Sequence, residues 1–336
     1  MTKQIDNLEI YQKLVDSIGD TITSARLRAI QTVNNELLMA NWKIGKYIVE
    51  YEQNGNEKAE YGSSLLTNLS KDLKSRFGKG FSKSNIYLMR QFYLKYQIFQ
   101  SVTGKLTWTH FAELLSVTDD HSRSFYEKQA VNENWSVREL KRQISSSLFE
   151  RLALSQDKSG ILKLSQKGLV VSEPKDILKD PYVLEFLHIK EDTRMTESSL
   201  EQKIIDHLQI FLLELGKGFS FISRQYRITL DNDHYYVDLV FYHRILKCFV
   251  LIDLKTKHVK HQDIGQMNMY LNYFKIEENT EGDNPPIGIV LGADKNDILV
   301  EYAIGGISNN IFVSKYQLYL PDRKALEQKV KELIFE

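Results

Sequence analysis

The chain has 336 residues, room for about two domains. Hydrophobic residues make up 42% and charged residues 26%, with 17 Gly and 5 Pro, which excludes a disordered or collagen-like chain. The 44 basic and 44 acidic residues cancel, which argues against indiscriminate coating of a polyanion and leaves local patches to decide the partner.

The opening residues Met1-Thr2-Lys3-Gln4-Ile5-Asp6 lack the apolar core of a signal peptide. No run approaches the ~18 apolar residues of a membrane span, so a cytoplasmic protein is expected. Segment 22–51 carries Ile22, Leu27, Ile30, Val33, Leu37, Leu38, Ile44, Ile48 and Tyr51 at mostly helical spacing. Leu65, Leu66, Leu69, Leu73 and Phe77 mark a second helix over 63–77, stopped by Gly78 and Gly80. Ser82-Lys83-Ser84-Asn85 reads as the cap of a third helix, carrying Ile86, Met89, Phe92, Tyr93 and Tyr96. Helical pieces follow at 108–117 and 119–130. Ser136 caps a last one, with Glu139 in the capping-box position. Periodicity then fades over 151–180, which reads as a linker between a helical domain at 1–150 and a second domain at 181–336.

The second domain follows a different grammar. A helix at 197–215 precedes strand-like runs at 219–230, 235–242 and 248–255. A helix at 261–274 and, after Pro285-Pro286, a short apolar strand at 287–291 complete it. The expected class is α/β, a mixed sheet flanked by helices, because an antiparallel meander plus a helical crossover produces that sheet. The one cysteine, Cys248, lies on a strand. It excludes an intramolecular disulfide and a Cys-based zinc site, and it reads as a small buried hydrophobe.

Two carboxylates stand out in this frame. A four-residue loop at 244–247 pairs His243 with Cys248, and hence Asp238 with Asp253. Opposed residues share a face with Cβ atoms ~5 Å apart, and Lys255, two residues on, shares it too. Like charges so placed are destabilising unless a cation lies between them, and Mg²⁺ takes such a pair with waters and phosphate oxygens. The competing reading is a set of ordinary solvent-facing charges. A one-residue slip in the loop would turn Asp253 to the opposite face.

Asp238 followed by Asp253-Leu254-Lys255 resembles the PD-(D/E)XK nuclease signature, and the helix–three strands–helix–strand order is similar to that superfamily's core. The wider text resembles the bacterial YhcG family. It matches in Phe221-Ile222-Ser223-Arg224-Gln225-Tyr226, in Tyr236-Val237-Asp238-Leu239-Val240-Phe241-Tyr242, and in Gly265-Gln266-Met267-Asn268-Met269-Tyr270-Leu271. Upstream, Lys179-Asp180-Pro181-Tyr182 and Asn41-Trp42-x-Ile44-Gly45 are similar too, so the likeness covers most of the chain. Val237 stands where the signature has proline. The resemblance implies a restriction-endonuclease-like core behind a helical domain. It implies Mg²⁺, or Mn²⁺ in its place, held by Asp238, Asp253 and the accessory Glu201. Lys255 would orient the attacking water, and Gln266 would reach the site from its helix. Glu201 has a rival reading, because Ser198-x-x-Glu201 is also a capping box. Gln262, Gln266 and Tyr270 equally form a plain polar stripe, beside an apolar one of Ile264, Met267, Leu271 and Phe274.

Basic residues cluster in two places. Between 71 and 105 there are Lys71, Lys74, Arg76, Lys79, Lys83, Arg90, Lys95 and Lys105 against one acid, Asp72. Their helix–Gly turn–capped helix shape is compatible with a helix-turn-helix-like element, and Lys79, Lys83 and Arg90 are its candidate phosphate contacts. The alternative is a solvated helical face. Around the carboxylates, Lys257 and Lys260 form a basic rim, with Asp253 the only acid between 239 and 262. His258-x-x-His261 reads as part of that rim rather than as a metal pair. The expected function is a Mg²⁺-dependent nuclease acting on nucleic acid, DNA first, working as a homodimer or beside a partner protein of a bacterial defence or restriction system. The competing expectations are a non-catalytic binding subunit and a structure-specific or RNA nuclease.

Overall fold

The computed structural model describes residues 2–53, 59–97, 105–154, 156, 158–189, 195–295, 300, 303–305 and 310–335. The chain divides into two compact units, Met1–Arg123 with Ala130–Leu140, and Ser124–Gln129 with Lys141–Glu336.

The first unit is helical: α1 (Thr2–Gln53), α2 (Ala59–Phe77), α3 (Lys83–Lys95) and α4 (Trp108–Leu114), with α5 (Asp120–Glu133) and α6 (Val137–Ser145) crossing the boundary between units. The expected stop after Phe77 is present. Gly78 and Gly80 take φ of 80° and 113°, which side chains tolerate poorly, and the Ser82 side chain accepts the Asn85 N–H at 3.1 Å. The Ser136–Glu139 capping box also forms, with both reciprocal bonds.

Helix α1 buries only part of the apolar positions that helical spacing aligns on it. Ile22, Leu27, Ile30, Val33 and Leu37 are exposed, and burial begins at Leu38. The reason is the reach of its neighbours. Trp42 donates to the Tyr96 carbonyl at 2.6 Å, and a Cβ on Gly45 would overlap the Met89 carbonyl, so α3 lies against only the later turns of α1.

The second unit begins with α7 (Leu148–Ala153) and α8 (Lys158–Lys167), the latter lying in the stretch read as a linker. It continues with β1 (Tyr182–Val183), α9 (Glu197–Asp206), α10 (Leu208–Leu215), β2 (Phe219–Leu230), β3 (Asp233–His243), β4 (Cys248–His258), α11 (His261–Tyr273), β5 (Ile287–Asp294), β6 (Asn310–Gln317) and α12 (Arg323–Phe335). The expected helix at 197–215 breaks at His207, whose ring Nδ1 lies 3.0 Å from the Lys203 carbonyl. Strands β1 and β6 were not anticipated; β1 is two residues long, and β6 mixes polar with apolar positions.

The sheet order is β1-β6-β5-β4-β3-β2. β2–β3–β4 form an antiparallel meander, and β5, β6 and β1 add in parallel. One face packs Leu200, Ile204, Phe211 and Leu215 of α9 and α10 against Leu239, Phe241, Ile252 and Ile289. The other packs Ile264, Met267, Tyr270 and Leu271 of α11 against Val237, Val240, Leu251 and Val290. Strand β4 lies between them and is buried from Val250 through Leu254, as a central strand covered on both faces must be.

A second set of charges surrounds the fully buried Glu214 of α10. The Glu214 carboxylate receives Arg151 Nη1 at 2.7 Å, Arg142 Nη1 at 3.3 Å and the Val183 N–H at 2.9 Å. Burial alone would raise its pKa, but Arg151, Lys179 and Arg142 outweigh that and hold it at about 2.

Candidate active site

The hairpin register is the expected one. His243 pairs with Cys248 and the ladder continues to Leu239 and Ile252, which makes Asp238 and Asp253 the next residues in line. There the two strands part. The Leu254 N–H is taken by the Asp238 carboxylate, at 2.7 Å. The inward-outward alternation of β3 also breaks there, since Val237 and Val240, three residues apart, lie in the same apolar cluster. A side chain that substitutes for a ladder partner holds the splay open.

Asp253 is 4% exposed. Burial and the neighbouring Asp238 push its pKa well up from the carboxylate range, against the pull of Lys255. Its Oδ2 lies 2.8 Å from Lys255 Nζ as an ion pair but has no partner in hydrogen-bonding geometry. Lys255 also faces Glu197 at 3.8 Å. Burial of the ammonium works to lower its pKa, yet Asp253 and Glu197 prevail and push it up to about 12. The lysine is therefore a fixed cation.

Glu201 projects from α9 and is buried. The capping-box alternative is not what forms here. The cap of α9 is Thr196, whose hydroxyl accepts the Ser199 N–H at 3.1 Å, leaving Glu201 in the second turn. Burial raises the pKa of Glu201, and Asp238 adds to the rise, while Gln225 opposes it. Gln225 of β2 connects the carboxylates: its Nε2 donates to Glu201 at 2.5 Å and to Asp238 at 3.1 Å.

Family models match both parts of the chain. Residues 175–331 match the YhcG PDDEXK nuclease domain, and residues 17–151 match the DUF1016 N-terminal domain. A relative from Escherichia coli (strain K12), described as "Putative nuclease YhcG", is 39% identical over 95% of this chain and 93% of its own. The chain belongs to the YhcG family of PDDEXK nucleases. Two solved structures are also similar. One is a repair endonuclease from Pyrococcus abyssi (17% identity, 39% of this chain and 50% of that chain, TM-score 0.28). The other is EndoMS in apo form (12% identity, 38% and 48%, TM-score 0.26).

The donor set of this YhcG-family site fits a hard divalent cation. All its acidic arms are oxygen donors, one of them, Asp253 Oδ2, is buried without a hydrogen bond, and the like charges of Asp238 and Asp253 face each other. Among the described residues no three His, Cys, Asp or Glu side chains form a cage of their own. His258 bonds Asp294 at 3.0 Å instead of joining His261.

Helix α11 carries Gln266 and Tyr270. Gln266 Nε2 donates to Tyr270 Oη at 2.6 Å, and Tyr270 donates in turn to the Tyr236 carbonyl at 3.0 Å. Tyr270 is fully buried, so the plain polar stripe does not exist; its ring belongs to the core beside Met267 and Leu271. Burial, then Asp253 and Asp238, push its pKa up to about 12, so the hydroxyl stays a donor.

Lys257 and Lys260 are exposed where β4 runs into α11. In the helical unit Lys79 is exposed on the turn between α2 and α3 and Lys83 at the first residue of α3, whereas Arg90 Nε donates to both oxygens of Glu52 at 3.0 and 2.8 Å.

Gln225 was not singled out by the sequence pattern. It sits in an alternating strand, with no spacing rule to single it out. The backbone signal is a φ of 46°, visible only in the structure.

Proposed function

We propose that this chain is a Mg²⁺-dependent nuclease that hydrolyses phosphodiester bonds in DNA, with Asp238 and Asp253 holding the cation, Glu201 as accessory carboxylate and Lys255 at the reacting phosphate. The observation that carries the reading is the meeting of Asp238 and Asp253 where β3 and β4 part, with the Lys255 ammonium 2.8 Å from Asp253.

Bound Mg²⁺ would neutralise phosphate charge and lower the pKa of a coordinated water. Lys255 remains an ammonium through neutral pH, so it has three donors and no lone pair. Its part is to hold the attacking water or a phosphate oxygen and to stabilise charge that develops there, not to accept a proton. Asp238 is held by the Leu254 N–H on one oxygen and by the Gln225 amide on the other, so its carboxylate is oriented without further ordering. Lys257 and Lys260 supply phosphate contacts beside the site, and Lys79 and Lys83 supply others on the helical unit. An intact acidic pair with its lysine weighs against a subunit that only binds.

The test is cleavage of supercoiled plasmid, linear duplex, branched DNA and RNA, each with Mg²⁺, Mn²⁺ or chelator. DNA should be cut with either cation and left intact with chelator. Binding without cleavage of any substrate would turn the reading to a binding subunit. Cleavage confined to RNA or to branched DNA would reassign the substrate.

A further inference from the structure

Gln225 occupies an expensive position. It lies in the middle of a strand, yet its φ is 46°, a left-handed conformation that glutamine has no intrinsic reason to adopt. Strain of this kind persists only where the surroundings over-determine it. Arg224 pairs with Leu239 and Tyr226 with Val237, so Gln225 stands opposite Asp238. The left-handed turn aims its amide between two acids that belong to different elements, Glu201 on α9 and Asp238 on β3. The neutral NH₂ group thus occupies the place, relative to those two carboxylates, that a positive charge would fill. Asp253 then repels Asp238 from the other side. Among the described residues, no three His, Cys, Asp or Glu side chains come together closely enough to hold a cation by themselves.

We propose that Gln225 is the missing arm of the cation site. Its amide nitrogen holds Glu201 and Asp238 together while no cation is bound, and a half-turn of the amide presents Oε1 to the cation when one arrives. The chemistry suits the role. An amide is the one side-chain group that can donate to carboxylates with one edge and offer a carbonyl oxygen, which hard cations accept, with the other. The proposal rests on the reading of Asp238 and Asp253 as a cation site, and its test keeps the two apart.

Mn²⁺ alone is the probe, titrated into the full chain with free Mn²⁺ read by electron paramagnetic resonance and with thermal melts run in parallel. Gln225→Gly suits the left-handed backbone and removes the whole side chain, its amide included. It should fold and bind Mn²⁺ on the order of tenfold more weakly. Gln225→Glu should bind at least as tightly as wild type, because it retains an oxygen at the same reach. Asp238→Asn should abolish binding. Unchanged or tighter binding by Gln225→Gly, or equal weakening in both Gln225 variants, would overturn the role of Gln225 while Asp238→Asn still upholds the cation site. A wild-type protein that binds no Mn²⁺, or an Asp238→Asn variant that binds like wild type, would overturn the site itself and this proposal with it.

Discussion

Two buried carboxylates in the same unit have opposite fates. Glu214 is enclosed by Arg151, Arg142 and Lys179, and its pKa falls to about 2. Asp253 has one lysine and faces a rival carboxylate, and its pKa climbs. Both are desolvated, so burial does not set the difference; the count of opposing charges does. A carboxylate with surplus counter-charge is cemented into the fold. One with a deficit is what the proposed cation site requires. The contrast separates the groups that hold this nuclease together from those that equip it.

The contrast breaks most severely if Glu214 can be dispensed with. Glu214→Ala strands Arg151, which is fully buried, and should destabilise the chain by about 3–5 kcal/mol in chemical denaturation. Lys255→Ala should instead spare the melting temperature and DNA affinity while slowing cleavage on the order of 10²–10³-fold, read by single-turnover kinetics. The two carboxylates also differ in what acid does. The folded pKa of Glu214 lies below its unfolded value of ~4.5, so the stability it contributes is complete above that pH. That contribution, roughly 3 kcal/mol, should be lost as pH falls from about 4.5 toward 2, and Glu214→Gln should flatten that stretch of the stability profile. The smallest effect sharpens the comparison furthest. Asp253→Asn, measured without divalent cation, should leave stability unchanged or raise it by up to about 1 kcal/mol, because it removes a repulsion. A loss as large as that of Glu214→Ala would place Asp253 among the structural charges.

Much of this was legible in sequence, for identifiable reasons. The 244–247 loop fixed the register that aligns Asp238 with Asp253, and period-2 patterning put Lys255 beside them. Gly78, Gly80 and Ser82 announced the α2–α3 turn through backbone preference alone. What stayed hidden depends on tertiary surroundings. Tyr270 has a polar tip but a core ring, and only its bond to the Tyr236 carbonyl explains it. Arg151 and Lys179 looked like linker residues until Glu214 was seen between them. The exposed stripe of α1 has helical spacing that says an apolar face exists, not what lies against it. Gln225 required a left-handed strand residue, which no periodicity encodes.

The central claim is that the under-compensated pair at the parting of β3 and β4 is a cation-dependent phosphodiesterase centre. Its most direct test is nicking of supercoiled DNA by wild type and Asp253→Ala, purified side by side, as Mg²⁺ is raised from zero. The account predicts cleavage that rises with Mg²⁺ in wild type, none in Asp253→Ala at any concentration, and matching melting curves. Equal nicking by both proteins would contradict it.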